Sequence, residues 1–228
     1  MTRLRRYCPG GIPVHIIQRG NNRNDCFYEN LDKGYYFQLL KAASDSFPIR
    51  IHAWVFMSNH VHLLATPSES DSVSSMMQFV GREYVRYFNR KYSRTGTLWD
   101  GRFKSCLVDT EHYFLVCQRY IELNPVRAGL ACEPAAFHWS SFHSNALGID
   151  SSLLSPHEVY LRLGNTQAKR LAAYLALFNE SIAQKQIEEI RFTLNKGLVL
   201  GSEKFKDRIA RESGQRTRPG KRGRKPRK

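Results

Sequence analysis

The sequence predicts an α+β fold in which one antiparallel sheet carries helices on one of its faces. Two long segments place apolar residues at the three- and four-residue spacings of amphipathic helices. Four shorter segments are rich in β-branched and aromatic residues, as expected of strands. With 228 residues, 42% of them hydrophobic, the chain can bury one domain of about 150 residues and carry a smaller appendage.

The first half of the predicted domain begins with a strand, a helix and a strand pair. The strand is expected at 12–19, and the helix covers 36–47, where Pro48 stops it. Strands at 51–57 and 60–66 follow, joined by a tight turn at Ser58-Asn59. The two strands therefore form an antiparallel hairpin.

The second half adds a helix, a strand and another helix. A wide apolar stripe over 73–88 predicts the second helix, and 103–108 has the composition of the fourth strand. Asp109 or Thr110 can cap the third helix, and Pro125 is expected to bend or end it. The resulting order, β-α-β-β-α-β-α, is that of a ferredoxin-like sandwich with an extra helix.

Beyond residue 152 the sequence shows only helical patterns, at 156–194 and 202–212. We therefore predict a main domain at 1–146, a small helical appendage at 152–213 and a disordered basic tail at 214–228.

The charge of the chain predicts a polyanionic partner. The formal net charge is +15, and residues 215–228 hold eight basic residues and no acid, so the rest still carries +7. Nucleic acid fits better than a membrane, because the sequence has no strongly amphipathic basic helix and no apolar run near the roughly 20 residues of a membrane span.

The basic N-terminus lacks the apolar core of a secretory signal, and the five scattered cysteines form no CxxC pair. A cytoplasmic protein is expected.

His60-Val61-His62 is a candidate metal site. On a strand, residues two apart point to the same side, so both imidazoles can reach one ion. The pair supplies part of a mononuclear site, and a third ligand must come from elsewhere. The alternative is a chance His-x-His with no ligand.

Tyr120 and Asn124 strengthen the metal interpretation. Spaced by four, they share one face of the third helix. The helix could present an amide oxygen to the metal and a phenol to whatever the metal binds, a ligand set that suits Mg²⁺ or Mn²⁺ better than a closed zinc site. Alternatively, Tyr120 is an amphipathic core residue. Glu122 points to a different helix face and is a poor candidate for the third ligand.

HVH followed about sixty residues later by YIELNPVRAGL resembles the single-tyrosine HUH transposases of bacterial insertion sequences. The branch associated with repetitive extragenic palindromes (REP) is the most similar, and the resemblance covers roughly 1–146. Other matching segments are QRGNNR at 18–23, AWVFMSNHVHLL at 53–64, LWDGRFKSCLV at 98–108 and HWSSF at 138–142.

The resemblance implies a DNA transposase that nicks and rejoins single strands at hairpin-forming repeats, acting as a monomer or a homodimer. It implies that His60 and His62 bind the metal, that Tyr120 is the nucleophile that forms a 5′-phosphotyrosine link, and that Asn124 is the third ligand. In some relatives that ligand is a glutamine, and Pro125 could distort the backbone beside Asn124.

Several basic residues are candidates for DNA binding. For the arginines of the second helix, the alternative to DNA binding is a solvated helix face. Trp99 and Phe103 beside the basic residues of the fourth strand could stack on bases, but core packing explains Trp99 equally well. In the tail, RGRKP loosely resembles a minor-groove AT-hook, although a general polybasic arm describes it better. The candidates are Arg82, Arg86, Arg102, Lys104, Arg222 and Arg224.

Three other functions stay open. One is a DNA-binding regulator that keeps the fold but does not cut, and another is a replication-initiator or relaxase-like HUH endonuclease. A zinc hydrolase is the third, although the chain has no HExxH motif. The remaining histidines are interpreted as ordinary structural or surface residues: His15, His52, His112, His138, His143 and His157.

Overall fold

The computed structural model describes residues 6–220. The strands in this range are β1 (Val14–Arg19), β2 (Ile49–Phe56), β3 (His60–Pro67), β4 (Lys104–Val108) and β5 (Val199–Leu200). The α-helices are α1 (Asn30–Ser46), α2 (Ser72–Lys91), α3 (Phe114–Glu122), α4 (Asn124–Arg127), α5 (Phe142–Asn145), α6 (Glu158–Leu161), α7 (Gln167–Ala176), α8 (Gln184–Lys196) and α9 (Glu203–Ser213). Within residues 6–220, no helix combines the length and apolar character needed to cross a bilayer.

The five strands form one open sheet in the order β2-β3-β1-β4-β5. β1 pairs antiparallel with both β3 and β4, and β2 pairs antiparallel with β3. The predicted α+β fold with a ferredoxin-like sheet is confirmed. The sheet is mixed, since β5 pairs parallel to β4.

Helices cover both faces of the sheet, where the sequence predicted one. Side chains alternate along a strand, and both alternating sets of β1 and β3 are apolar, as the neighbours Ile16 and Ile17 and the neighbours Leu63 and Leu64 show. Ile16 and Leu63 pack in the core under α1 and α2, whereas Ile17 and Leu64 pack under α3 and α8. Because both faces of the sheet are apolar, each must be covered by its own layer of helices.

The C-terminal segment contributes to the same sheet. β5 pairs with β4, and α8 packs against β4 on the face that α3 also covers. The predicted tail is ordered at its start, because Thr217 is buried and its carbonyl accepts a hydrogen bond from the Val199 amide at 3.3 Å. The division into a main domain at 1–146 and a helical appendage at 152–213 stays a prediction.

The third helix begins later than predicted. Its N-cap is Tyr113, so the prediction of Asp109 or Thr110 was wrong. The Asp109 carboxylate instead accepts hydrogen bonds from the amide and hydroxyl of Ser202. The expected effect of Pro125 is confirmed: α3 ends at Glu122, and Pro125 lies in the first turn of α4.

Candidate active site

The side chains of His60 and His62 lie on the same face of β3. Val61 between them points to the opposite face, into the core under α1 and α2. The two ring centroids are 5.1 Å apart, and the ring planes are nearly perpendicular at 85°. A ligating imidazole nitrogen lies about 2.1 Å from its metal, so two rings on one ion have centroids roughly 5 Å apart. The histidine pair fits a single cation.

Each of these imidazoles has its Nδ1 in a hydrogen bond, which leaves Nε2 as the nitrogen for a cation. His60 Nδ1 lies 2.6 Å from Asn59 Oδ1, and His62 Nδ1 lies 2.8 Å from His15 Nε2. The amide nitrogen of Asn59 donates to the Arg23 carbonyl at 3.1 Å, so its oxygen faces His60. Metal-bound histidines in proteins commonly use their second nitrogen in this way.

Burial keeps both imidazoles neutral. Loss of solvent lowers the pKa of His60 to about 4, and the nearby Arg19 guanidinium acts in the same direction. For His62, burial is again the main cause, and its pKa falls well below the usual value. The neutral form has the free lone pair that a cation requires, so the pair is ready to ligate at neutral pH.

Tyr120 lies next to this pair although it comes from α3. Its ring centroid is 6.0 Å from that of His62, edge-on at 90°, and 5.8 Å from that of His15. The helix is held there because its apolar side packs on β2 and β3, with Cys117 and Ile121 fully buried. The sequence predicted that a phenol from a helix would meet two imidazoles from a strand, and the structure brings these rings together.

Arg127 covers the Tyr120 ring on another side. Its guanidinium carbon lies 4.1 Å from the ring centroid, and Nη2 donates to the Tyr120 carbonyl at 2.7 Å. Within residues 6–220, the buried Nε and Nη1 atoms have no hydrogen-bond partner. Burial lowers the Arg127 pKa to about 10, so the side chain stays charged at neutral pH.

Asn124 lies one turn beyond Tyr120, at the start of α4. Its amide nitrogen donates to the carbonyls of Tyr120 and Ile121 at 3.2 and 3.4 Å, which leaves the Oδ1 atom for a ligand. In the described chain, no hydrogen bond joins Asn124 to either histidine, and no three His, Cys, Asp or Glu side chains form a group that could hold a metal. Ligation by Asn124 stays a prediction.

Glu122 belongs to a separate buried cluster. Its carboxylate accepts hydrogen bonds from Ser141 Oγ at 2.6 Å, Asn145 Nδ2 at 2.8 Å and the Tyr174 hydroxyl at 2.8 Å. Burial raises the pKa of Glu122 to about 7 despite these three donors. Because Glu122 belongs to α3 and Tyr174 to α7, the cluster connects the helix that carries Tyr120 to the C-terminal segment.

Three of the predicted DNA-binding residues line one groove. Arg82, Arg86 and Arg102 surround a groove of about 700 Å³, together with Gln18 at the end of β1. Because Gln18 pairs with Val61, the groove lies on the face of the sheet that α2 covers, opposite to the side chains of the histidine pair but at the same end of the sheet.

The other candidates for DNA binding are Lys104, Arg222 and Arg224. Lys104 lines a different groove, where its ammonium donates to Asn195 at 3.1 Å. Trp99 and Phe103 are 7% exposed and belong to the core, which favours core packing over base stacking. Arg222 and Arg224 lie outside the described residues.

Three residues of this site were not predicted from the sequence. His15 was interpreted as a structural histidine, and Asn59 and Arg127 were not considered. One signal was available for His15, because it is the only residue able to ionise in the otherwise apolar run from Pro13 to Ile17. Its partner could not be inferred, since the contact depends on the pairing of β1 with β3.

Comparison with known proteins connects this site to a family. A model of the family described as "Transposase IS200 like" matches residues 10–124. The REP-associated tyrosine transposase of Escherichia coli (strain K12) is 25% identical over 148 residues, which span 63% of this chain and 84% of that protein. A solved structure of a REP-associated tyrosine transposase bound to a REP hairpin has a TM-score of 0.53 and 22% identity, and covers 69% of this chain and 93% of that one. The structural similarity shows a shared fold.

Proposed function

The chain belongs to the IS200-like transposase family, and we propose that it cuts and rejoins single-stranded DNA through a covalent bond between Tyr120 and a 5′ phosphate. The family match confirms the resemblance found in the sequence. The observation that carries the proposal is the 6.0 Å separation between the rings of Tyr120 and His62, beside His60. This arrangement puts a nucleophile next to a pair of metal ligands.

His60 and His62 would hold Mg²⁺ or Mn²⁺ through their Nε2 atoms, with Asn124 Oδ1 as the proposed third ligand. When bound, the cation supplies positive charge that stabilises the phosphate oxygens in the transition state. Both ions accept imidazole and oxygen ligands and keep positions open for water or phosphate. The neutral state of both imidazoles supports this role.

Tyr120 would act as the nucleophile in strand cleavage. Its oxygen forms a bond to phosphorus as its proton passes to solvent, and the bond from phosphorus to the 3′ oxygen breaks. The leaving oxygen takes a proton from water, which gives a free 3′ hydroxyl and a 5′-phosphotyrosine. Arg127 lies against the attacking residue, and its charge would stabilise the negative charge on the phosphate.

Rejoining would reverse the same chemistry. A 3′ hydroxyl attacks the phosphotyrosine, the new phosphodiester forms, and Tyr120 recovers its proton. The energy of the original bond is kept in the protein–DNA link, so no ATP is needed. A transposase needs such a link in order to rejoin strands, whereas a simple nuclease only cuts them.

We propose single-stranded DNA with hairpin-forming repeats as the substrate. A solved relative of the same fold is bound to a REP hairpin, and Arg82, Arg86 and Arg102 supply positive charge in one groove at the end of the sheet that carries His60. Paired and stacked bases would hide the scissile phosphate, which favours single strands. Arg222 and Arg224 would add non-specific affinity as part of a polybasic arm.

A covalent-adduct assay tests the proposal. The full-length protein is incubated with a labelled single-stranded hairpin and Mn²⁺, and a protein–DNA adduct is sought on a denaturing gel. Tyr120→Phe should abolish the adduct while leaving hairpin binding nearly unchanged. Tyr113→Phe is the matched control, because Tyr113 caps the same helix and its hydroxyl donates to Glu189, away from the histidines.

The other outcomes separate the competing functions. Hairpin binding without any adduct from the wild-type protein would favour the non-cutting regulator. Metal-dependent cleavage that survives Tyr120→Phe would favour an enzyme that activates water. A replication initiator or relaxase would also form an adduct, and the IS200-like family match argues against that alternative.

A further inference from the structure

A third histidine lies behind the candidate metal ligands. His15 is fully buried on β1, and its Nε2 is 2.8 Å from Nδ1 of His62. The two ring centroids are 5.0 Å apart, and the His15 ring also lies 5.8 Å from that of Tyr120. His15 therefore contacts a proposed ligand and the proposed nucleophile together.

A histidine that binds a cation through Nε2 must carry its proton on Nδ1. That proton needs an acceptor when the ring is buried, and the acceptor also fixes the ring orientation. Asn59 supplies such an acceptor to His60, because its own amide nitrogen is used by the Arg23 carbonyl. For His62, the hydrogen-bond partner of Nδ1 is His15 instead.

We propose that His15 is a positioning residue for His62: its unprotonated Nε2 accepts the Nδ1 proton of His62 and leaves the Nε2 lone pair of His62 for the cation. The inference rests on the proposed function, since it assumes that His62 is a metal ligand. It assigns His15 no contact with metal or DNA.

The surroundings of His15 favour this role over simple packing. The residues opposite it on the neighbouring strands are Leu64 and Cys106, both buried and apolar. With Nε2 as the acceptor, the proton of His15 stays on Nδ1, and in residues 6–220 this buried atom has no hydrogen-bond partner. A buried ring nitrogen without a partner destabilises the folded chain whether it carries a proton or not. A leucine would pack here without that cost, so the imidazole needs a reason beyond packing.

Binding of Mn²⁺ alone, without DNA, tests the inference. The affinity is measured on the full-length protein by electron paramagnetic resonance of free Mn²⁺. His15→Leu fills the space without an acceptor and should weaken binding about 10- to 100-fold, the usual effect of losing such a partner. His15→Gln offers a side-chain oxygen to the His62 proton and should recover most of the affinity.

Two further variants control the measurement. His52 is 2% exposed, and its ring packs against Phe114 of α3, but its hydrogen bonds go to Thr66 and Ser155. His52→Leu should lower the melting temperature and leave Mn²⁺ affinity unchanged. His60→Ala removes a proposed ligand and should weaken Mn²⁺ binding strongly.

The outcomes distinguish the inference from the proposed function. If His60→Ala weakens Mn²⁺ binding and His15→Leu does not, only the role of His15 is overturned. The same conclusion follows if His15→Gln loses as much affinity as His15→Leu, or if His52→Leu loses as much as either. If His60→Ala and His62→Ala both bind Mn²⁺ like the wild type, the proposed metal site fails and the inference fails with it.

A second measurement decides the question even if His15→Leu does not fold. Long-range ¹H–¹⁵N spectra of histidine-labelled wild-type protein, saturated with Mg²⁺, report which nitrogen of each ring carries the proton. His62 should carry it on Nδ1, and His15 should have an unprotonated Nε2. A proton on Nε2 of His62 would overturn the inference.

Discussion

The guanidinium of Arg127 lies 4.1 Å from the ring centroid of Tyr120, and its Nη2 atom donates to the carbonyl of the same tyrosine. One contact holds the side chain on the ring, and the other ties α4 to the last turn of α3. In the described chain, two further nitrogens of this guanidinium are buried without a partner. Arg127 therefore lies beside the proposed nucleophile and has two donor nitrogens without a partner among the described residues.

Arg127→Lys should slow formation of the covalent adduct by about 100- to 1,000-fold, the usual loss when a preorganised donor to transition-state charge is removed. Lysine keeps the charge but loses the planar group that lies on the Tyr120 ring. Single-turnover rates with the labelled hairpin and Mn²⁺ measure the effect.

Arg119→Lys provides the control for Arg127. Arg119 belongs to α3, the helix of Tyr120, and its guanidinium lies 5.6 Å from the ring of Phe178. Its substitution should change stability and leave the adduct rate nearly unchanged. Equal rates of adduct formation for wild type and Arg127→Lys would show that Arg127 has no role in strand cleavage.

Asn124→Ala should weaken Mn²⁺ binding about 10-fold and slow adduct formation, if Oδ1 is the third ligand. A small loss of stability should accompany it, because the amide nitrogen also donates to two carbonyls of α3. Calorimetric titration with Mn²⁺ measures the affinity. Asn145→Ala is the control, since Asn145 is also a buried amide but donates to Glu122; unchanged affinity in Asn124→Ala would exclude Asn124 as a ligand.

Glu122 should make the protein less stable as pH rises. Burial raises its pKa to about 7 in the folded chain, from the value of 4.5 for a solvent-exposed glutamate. A carboxyl whose pKa is raised by folding stabilises the protein below pH 4.5, and this contribution is lost as pH rises through 7. The wild type should lose on the order of 3 kcal/mol across this window relative to a variant that cannot ionise.

Glu122→Gln is that variant. One oxygen of Glu122 accepts from Ser141 and Asn145, and the other accepts from the Tyr174 hydroxyl. Glutamine can keep the first two bonds and donate to the hydroxyl instead. Urea unfolding at pH 5 and pH 8 measures the difference between the two proteins. A pH dependence that is identical in both would contradict the assignment to Glu122.

The groove arginines should set the salt dependence of binding to single-stranded DNA. Arg82→Gln and Arg102→Gln should each lower the slope of log K against log salt by about 0.7, provided that each side chain contacts one phosphate. Fluorescence anisotropy over a range of NaCl concentrations measures it. Arg162→Gln is the control, because this exposed arginine is the C-cap residue of α6, next to Glu158 and outside the groove. If Arg82→Gln and Arg102→Gln give the same slope as this control, the DNA does not bind in the groove.

Much of the fold and part of the site could be predicted from local patterns. Apolar periodicity located α2 and the C-terminal end of α1 within a few residues, although α1 begins at Asn30, before the predicted residue 36. Alternation along a strand put His60 and His62 on one side. Both are properties of neighbouring residues, so no knowledge of distant contacts was needed. The second helical layer and β5 were not predicted, because two adjacent residues of β5 carry too little periodicity to identify a strand.

The amino-acid sequence by itself determined the order of the main elements, the histidine pair on its strand and the tyrosine on its helix. Only the tertiary structure decided that His15 meets His62 across 47 residues of chain, and that Arg127 lies on the Tyr120 ring. The first contact depends on the register between β1 and β3, and the second on how the chain turns between α3 and α4 at Leu123. Strand register and helix orientation are set by the packing of the whole core, so no local pattern encodes them.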